Sequence, residues 1–271
     1  MIHNNGIAHF ENFLPDSQRE KLNIEIDKIS KEILINGNSK ASVWINHNQF
    51  EVINPIVNID SINTLDIAFK IFKKLKEITS ISYTLTSLRI FDEKKNIYPV
   101  NWHTDSAQNH IRGLLYLHGG DEDNGNLSYI LESHKERHDG ETHNIDIIKL
   151  NLQSKVYKCE SKPGDLILLD INGYHKKNTV KNHRRIIFFE FQEQKSSVKS
   201  KTKIIFDNSK IKKEMLQEPD FLFYNSDKVK LINPVYYDHL ILHTPLKVFK
   251  YYLVSFIKLQ IKKVLRKFNI K

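Results

Sequence analysis

Cysteine is nearly absent from this sequence: the chain of 271 residues has a single one, Cys159. An internal disulfide bond needs two cysteines, so the chain folds without one, as is usual in a reducing compartment. Residues 1–5 also lack the basic segment and the apolar run of a secretory signal. From these two absences we expect a cytoplasmic protein.

Long apolar runs are missing as well. The longest one near the C-terminus covers residues 251–257 and is interrupted by Ser255, whereas a helix needs about 20 apolar residues to cross a bilayer. We therefore expect no membrane-spanning helix. The composition, with 40% hydrophobic and 27% charged residues, is typical of a folded protein, and the length suits one sizeable core.

Acidic residues are absent from residues 239–271, which contain eight Lys and Arg residues. The net charge of the whole chain is +9, so subtracting these eight leaves about +1 for residues 1–238. The larger part of the chain is thus nearly neutral, which argues against a nucleic-acid-binding surface over the whole fold.

The C-terminal segment has the pattern of an amphipathic helix over residues 246–268. Apolar residues recur on one side, and a basic row lies opposite them: Lys258, Lys262 and Arg266. Packing on the rest of the protein and docking on an anionic membrane surface both suit this pattern. Nucleic acid is a weaker alternative, because the aromatic residues fall mostly on the apolar side and offer no evident stacking platform.

Two helical segments precede a series of short strands. Apolar residues at helical intervals predict helices over residues 10–35 and 60–78. From Ile81 to Gln192, β-prone runs alternate with turn-forming clusters such as Asn124-Gly125, a texture typical of a sandwich or barrel. The predicted strands cover residues 82–91, 111–117, 127–131, 155–159, 166–170 and 185–191.

The chain divides into two predicted parts. Residues 1–194 form a mainly β domain with N-terminal helices, and residues 195–271 form a basic extension that ends in the amphipathic helix. The extension begins with a polar, lysine-rich stretch, residues 195–203, which suits a solvated linker.

His103, Asp105 and His175 form a candidate metal site. Residues two apart on a strand project to the same face, so one strand end can supply both His103 and Asp105. His175 follows a predicted strand and a turn at Gly173, and an antiparallel barrel can return it to the same mouth. Two imidazoles and one carboxylate can occupy one face of an Fe(II) ion and leave the other face open.

Other histidines compete for this role, because the chain has 13 of them and one His-x-Asp pair by chance is unsurprising. Surface hydrogen bonding is a common role for such pairs. The competing groups are His134 with Glu136, His138 with Asp139, and His239 with His243.

The order of the motifs separates these alternatives. The segment 102–106, Trp-His-Thr-Asp-Ser, is followed by the acidic Asn-Gly turn and the Ser-His-Lys segment within residues 123–135. Gly164-Asp165 then lead to His175, and Arg184-Arg185 follow. These motifs, over about residues 80–192, resemble the phytanoyl-CoA dioxygenase-like family of Fe(II)/2-oxoglutarate oxygenases. The family's usual Pro-Gly is replaced by Leu131-Glu132, a departure in the loop before His134 and not in the metal residues.

The resemblance implies a double-stranded β-helix, a jelly-roll or cupin-like core, with Fe(II) held by His103, Asp105 and His175. It implies 2-oxoglutarate and O2 as co-substrates, and hydroxylation of a small molecule or a lipid- or sugar-linked substrate with release of succinate and CO2. Since related halogenases lack the carboxylate of Asp105, hydroxylation is the expected outcome. The resemblance assigns His134 to the Ser-His-Lys loop.

An arginine is implied as the partner of the distal carboxylate of 2-oxoglutarate. Strand alternation sends Arg184 and Arg185 to opposite faces. We favour Arg185 for its ten-residue offset from His175, and because its apolar neighbours on the strand suit a barrel interior. Arg184 is the alternative, and surface positions for both are a third.

Substrate-side positions are predicted from segments expected near the mouth of the barrel: Arg89, Asn101, Trp102 and Tyr116. Trp102 and Tyr116 suit core packing equally well. The alternative function is a non-catalytic jelly-roll module that docks on a membrane surface through the C-terminal helix.

Overall fold

The fold was derived as a computed structural model, which describes residues 2–36, 42–46, 49–53, 64–96, 100–105, 110–136, 142–193, 212–218 and 220–221. Four helices lie in these ranges: α1 (Ile2–Asn5), α2 (Asp16–Asn36), α3 (Thr64–Ile78) and α4 (Lys213–Leu216). Single-turn 3₁₀ helices cover Ser133–Lys135 and Gln153–Lys155. The strands are β1 (Ile7–Phe10), β2 (Ser42–Asn46), β3 (Gln49–Ile53), β4 (Tyr83–Asn96), β5 (Val100–His103), β6 (His110–His118), β7 (Leu127–Ile130), β8 (Val156–Cys159), β9 (Leu166–Asp170), β10 (His175–Lys177) and β11 (Val180–Glu193).

The strands form two antiparallel sheets. The larger sheet has the order β1-β9-β6-β11-β4-β3-β2, and the smaller one has the order β5-β10-β7-β8. From β4 to β11 the chain moves back and forth between the sheets, so that paired strands, apart from β7 and β8, are distant in sequence. This mainly β architecture agrees with the prediction and is consistent with a cupin-like core.

Two apolar clusters lie on opposite faces of the larger sheet. One contains side chains of α2, α3 and the larger sheet, including Leu22, Phe72 and Phe189. The other contains residues of both sheets, including Tyr116 and Tyr129. We call the first face of the larger sheet the helix face and the second the inner face.

Strand β11 shows how both faces are made from one segment. Successive side chains alternate, so Ile187 and Phe189 enter the helix-face cluster whereas Ile186 and Phe188 pack in the inner cluster. Because both faces of this strand are covered, the strand reads as a nearly continuous apolar run in the sequence.

The predicted helices over residues 10–35 and 60–78 correspond to α2 and α3, which end within one residue of the prediction but begin six and four residues later than predicted. Five strands in the described ranges were not predicted: β1, β2, β3, β5 and β10. They have three to five residues each; the predicted strands β7, β8 and β9 are equally short, so length alone does not separate the two groups. β5 and β10 are the two that carry the candidate metal residues.

Part of the predicted C-terminal extension belongs to the helix-face cluster. The ring of Phe221 lies 4.9 Å from that of Phe69 and 5.2 Å from that of Phe72, measured between centroids. The backbone of Phe221 also accepts a hydrogen bond from the amide of Leu85 at 3.1 Å. Described residues of this part, 212–218 and 220–221, therefore pack against the domain predicted for residues 1–194.

The predicted linker over residues 195–203 and the helix over residues 246–268, with Lys258, Lys262 and Arg266, lie outside the described residues. Docking on a membrane surface therefore stays a prediction, as does the cytoplasmic location. None of the helices in the described ranges is both long and apolar enough to cross a membrane.

Candidate metal centre

The pairing of two short strands brings the three predicted metal residues together. His103 ends β5, His175 begins β10, and the two strands pair antiparallel with these histidines opposite each other. Asp105 follows β5, and its amide donates to the carbonyl of Ile171 at 3.1 Å. Potential ligand atoms of His103, Asp105 and His175 all lie within 4.8 Å of one another.

Both imidazoles direct the same nitrogen toward the carboxylate. Nε2 of His103 lies 3.2 Å from Oδ1 of Asp105, and Nε2 of His175 lies 3.5 Å from Oδ2. The other nitrogen, Nδ1, bonds a backbone carbonyl in each ring, that of Asn101 at 2.7 Å and that of Gly173 at 2.9 Å. A carbonyl only accepts, so each Nδ1 donates its proton there, and each Nε2 is the ring nitrogen that faces Asp105.

This arrangement fits a divalent cation. Histidine ligands of metals usually donate their second ring nitrogen to a carbonyl or carboxylate, which fixes the ring orientation and the tautomer. Two nitrogen donors and one carboxylate oxygen form the set that non-haem Fe(II) oxygenases use. Within the described residues, this is the only group of three or more such side chains with converging ligand atoms.

The carboxylate of Asp105 is ionised in this setting. Burial alone would raise its pKa, but Arg112 and the two histidines hold the pKa well below its usual range. Nη1 of Arg112 donates to Oδ2 of Asp105. The negative charge that a cation would need is therefore present over the whole neutral range.

Arg112 begins a chain of charged residues on the inner face. It donates to Oε1 of Glu190 from Nη2 at 2.8 Å and from Nε at 3.2 Å, and Arg89 donates to the same oxygen. The sequence analysis placed Arg89 near the mouth but did not identify Arg112 or Glu190. Each is a charged residue within an otherwise apolar strand, where a buried charge is costly unless it is paired. This pattern in the sequence could have pointed to both residues.

A second charged cluster lies further along the same face. Lys177 shares a face of β10 with His175, and its Nζ donates to Oε1 of Glu93. Nη2 of Arg184 lies 3.0 Å from the other oxygen, Oε2, and Nη1 donates to the carbonyl of Gly125 at 3.1 Å. This cluster combines two cations with one carboxylate, so it carries a net positive charge between the sheets.

Two buried groups border this cluster without a partner of their own. The hydroxyl of Tyr116 and Nε of Arg184 have no hydrogen-bond partner among the described residues. Burial raises the pKa of Tyr116 above its usual range, and the nearby Arg184 opposes this rise. Burial and Arg184 also lower the pKa of Lys177 to about 8. The surroundings thus favour a negatively charged group here.

The structure does not bring Arg185 to the metal residues. Arg185 lies on the helix face, where its guanidinium contacts carboxylate oxygens of Asp27 and Asp92, each at 2.6 Å. It also donates to the side chain of Asn23 at 3.1 Å. The apolar neighbours of Arg185 on β11 were predicted to line the barrel interior. This prediction was wrong, because these neighbours pack against the helices. Arg184, the alternative, is the one on the inner face.

The other predicted substrate-side residues are divided between two places. Tyr116 lies on the inner face, whereas Trp102 packs with Ile130 and Tyr174 in a third apolar cluster. The side chain of Asn101 donates to that of Asn144 at 2.7 Å. Asn101 thus acts on the site through its carbonyl.

The rival histidines do not join the metal centre where they are described. Nε2 of His134 lies 3.0 Å from the carbonyl of His3, near α1. The pairs His138 with Asp139 and His239 with His243 lie outside the described residues. One histidine that the sequence analysis did not single out, His143, stacks on His103 with 6.1 Å between ring centroids.

No family model matches this chain, and no curated protein matches it in sequence. Solved structures match its fold. The non-heme alpha ketoglutarate dependent carbocyclase SnoK from nogalamycin biosynthesis has a TM-score of 0.58 and 12% identity, with 72% of this chain and 82% of SnoK covered. HygX from Streptomyces hygroscopicus, solved with nickel and 2-oxoglutarate, has a TM-score of 0.55 and 10% identity, with 72% and 85% covered.

The epimerase SnoN from nogalamycin biosynthesis, solved with Fe3+, alpha ketoglutarate and nogalamycin RO, has a TM-score of 0.58 and 10% identity, with 86% of this chain and 91% of SnoN covered. At these identities the likeness shows the fold alone. The chain thus has the fold of several non-heme, 2-oxoglutarate-dependent enzymes, and it places two histidines and one aspartate together between its sheets.

Proposed function

We propose that the protein is an Fe(II)- and 2-oxoglutarate-dependent dioxygenase. The observation that carries this proposal is the convergence of His103, Asp105 and His175, with a net positive cluster further along the same face. Iron and 2-oxoglutarate, when bound, would supply the activation of O2, with succinate and CO2 as the products of the co-substrate.

The positive cluster is the proposed site for the distal carboxylate of 2-oxoglutarate. His175 and Lys177 are two residues apart on one strand, a span of about 6.6 Å, which suits a short dicarboxylate that starts at the metal. Arg184 offers a planar fork of donors for a carboxylate. The hydroxyl of Tyr116 supplies a further donor. The arginine role that the resemblance implies is thus assigned to Arg184.

We propose hydroxylation of a small molecule or a lipid- or sugar-linked substrate as the outcome. Asp105 supports hydroxylation, since halogenases related to the phytanoyl-CoA dioxygenase-like family lack this carboxylate. Solved structures of this fold include a carbocyclase and an epimerase. The assay should therefore measure the conversion of 2-oxoglutarate to succinate, because this readout does not depend on what happens to the primary substrate.

The test is succinate formation from 2-oxoglutarate by the full chain with Fe(II) and O2, alone and with pooled candidate substrates. Wild type should form succinate, and His103→Ala should reduce the rate to background because one metal ligand is lost. His134→Ala is the matched control, since this imidazole lies in the Ser-His-Lys loop, and it should retain the wild-type rate. Succinate formation that survives in His103→Ala would refute the metal assignment.

A further inference from the structure

Arg112 connects the metal residues to a carboxylate on the neighbouring strand. Its Nη1 donates to Oδ2 of Asp105, while Nη2 and Nε donate to Oε1 of Glu190 at 2.8 and 3.2 Å. The side chains of Arg112 and Glu190 are each 15% exposed, so the contact between them is largely shielded from water. The proposed co-substrate site uses neither Arg112 nor Glu190.

Several neighbours fix the position of Arg112. The pairing of β6 with β11 places Arg112 directly opposite Glu190. Its guanidinium carbon lies 5.2 Å from the centre of the Phe188 ring, a cation–π distance. Glu190 is itself held by Arg89. Two arginines and two carboxylates have no net charge, so each buried charge is compensated.

The contact with Arg112 makes the two oxygens of Asp105 different. Each oxygen faces an imidazole, Oδ1 that of His103 and Oδ2 that of His175, but only Oδ2 also accepts a hydrogen bond from Arg112. An aspartate that follows a strand end can rotate about two side-chain bonds, and the guanidinium removes this freedom. A carboxylate held by the guanidinium would not have to be reoriented when a cation binds.

Two effects of Arg112 on a divalent cation have opposite signs. Its positive charge repels a cation, so its removal would tighten metal binding if charge were the main effect. Its hydrogen bond orients Asp105, so its removal would weaken metal binding if orientation were the main effect. Because Glu190, which Arg112 shares with Arg89, partly compensates the charge of Arg112, orientation should dominate.

We propose that Arg112 is a positioning residue of the metal centre, and that Glu190 acts through Arg112. This inference rests on the proposed function, because it concerns the same metal site. Residues that support metal ligands typically change metal affinity about 10–100-fold when they are removed. We expect Arg112→Gln to weaken metal binding by a factor in this range.

The experiment is calorimetric titration of chelator-treated full-length protein with Co(II), without 2-oxoglutarate or O2. Arg112→Gln should bind Co(II) about 10–100-fold more weakly than wild type, and Arg112→Lys should lie between them because it keeps the charge but loses the fork. Glu190→Gln should also weaken binding, since Arg112 is then neither held nor compensated. In the double variant, Glu190→Gln should add nothing to the effect of Arg112→Gln.

Arg185→Gln is the matched control, since it removes a buried arginine from the other face of the same sheet, and it should leave Co(II) affinity unchanged. Equal or tighter binding in Arg112→Gln would overturn the inference while the metal site stands. An additive effect in the double variant would overturn the role of Glu190. Failure of folded wild type to bind Co(II) would overturn the metal site itself, and with it the proposed function. Arg112→Lys and Glu190→Gln supply the test if Arg112→Gln does not fold.

Discussion

The two faces of the larger sheet use arginine for different purposes, and the adjacent residues Arg184 and Arg185 show the difference. On the helix face, Arg185 is held by Asp27 and Asp92, one from α2 and one from β4. On the inner face, Arg184 shares the carboxylate of Glu93 with Lys177. Arg185 thus contacts two carboxylates, whereas Arg184 and Lys177 share one.

This contrast indicates what each face contributes. On the helix face an apolar cluster packs α2 and α3 against the sheet, and the ion pair of Arg185 with Asp27 joins α2 to β11. The inner face keeps charged groups between two sheets, where burial makes each of them costly. A protein that needed only stability would gain little from such groups. Their arrangement along one face is therefore the main reason to read that face as the functional one.

The largest expected effect on stability comes from the helix face. Phe189 is fully buried among residues of the larger sheet and the helices, and Phe189→Ala should lower the free energy of unfolding by about 3–5 kcal/mol because it leaves a cavity. Denaturant unfolding measures this change. Co(II) affinity of the folded protein should not change, and a parallel loss of affinity would show that the two faces are not separable.

The contribution of Glu190 on the inner face to stability should be lost in acid. Burial opposes the charge on Glu190, but Arg89 and Arg112 lower its pKa from 4.5 to about 2. A lowered pKa gives stability that is present above pH 4.5 and is lost as the pH falls toward 2. The advantage of wild type over Glu190→Gln should therefore shrink over this range by on the order of 3 kcal/mol. A difference that is independent of pH would contradict the assigned pairing.

The two adjacent arginines provide a direct comparison of the faces. Arg184→Gln should weaken 2-oxoglutarate binding to the metal-loaded protein by about 10–100-fold. A hydrogen bond to a charged group contributes about 1.5–3 kcal/mol, and its loss corresponds to a factor in this range. Arg185→Gln should leave this affinity unchanged and lower stability instead. Competition with 2-oxoglutarate analogues under nitrogen measures the affinity of both variants, and denaturant unfolding measures their stability. The reverse pattern would restore the assignment to Arg185.

The smallest expected effect concerns the exposed partner of Arg185. The side chain of Asp27 is 57% exposed, and such ion pairs contribute about 0–1 kcal/mol. Asp27→Asn should therefore change the free energy of unfolding by no more than this, whereas Asp92→Asn, at a buried position, should cost more. Equal costs at the two positions would show that the pairing does not depend on burial.

The sequence allowed the metal residues to be predicted, because part of their geometry is local. His103 and Asp105 share a face through two-residue spacing, and the order of motifs indicated His175. The pairing of β5 with β10 could not be predicted, since the sequence of a short strand does not show which distant strand it pairs with.

The face of Arg185 could not be predicted for a different reason. Ile186 and Phe188 on one face of β11 are as apolar as Ile187 and Phe189 on the other, because both faces of the sheet are covered. Alternation therefore contains no information on which face meets the helices. Arg112 and Glu190 were missed for another reason: each is visible as a charged residue in an apolar strand, but their contact depends on the pairing of β6 with β11, which the sequence does not display.

An anaerobic titration with Fe(II) and then 2-oxoglutarate tests the central claim most directly, because it needs no primary substrate. Wild type and Arg185→Gln should develop a visible metal-to-ligand charge-transfer band that requires both components, and His175→Ala should develop none. A band of equal intensity in His175→Ala, or no band in folded wild type, would contradict the assignment of the inner face as an iron and 2-oxoglutarate site.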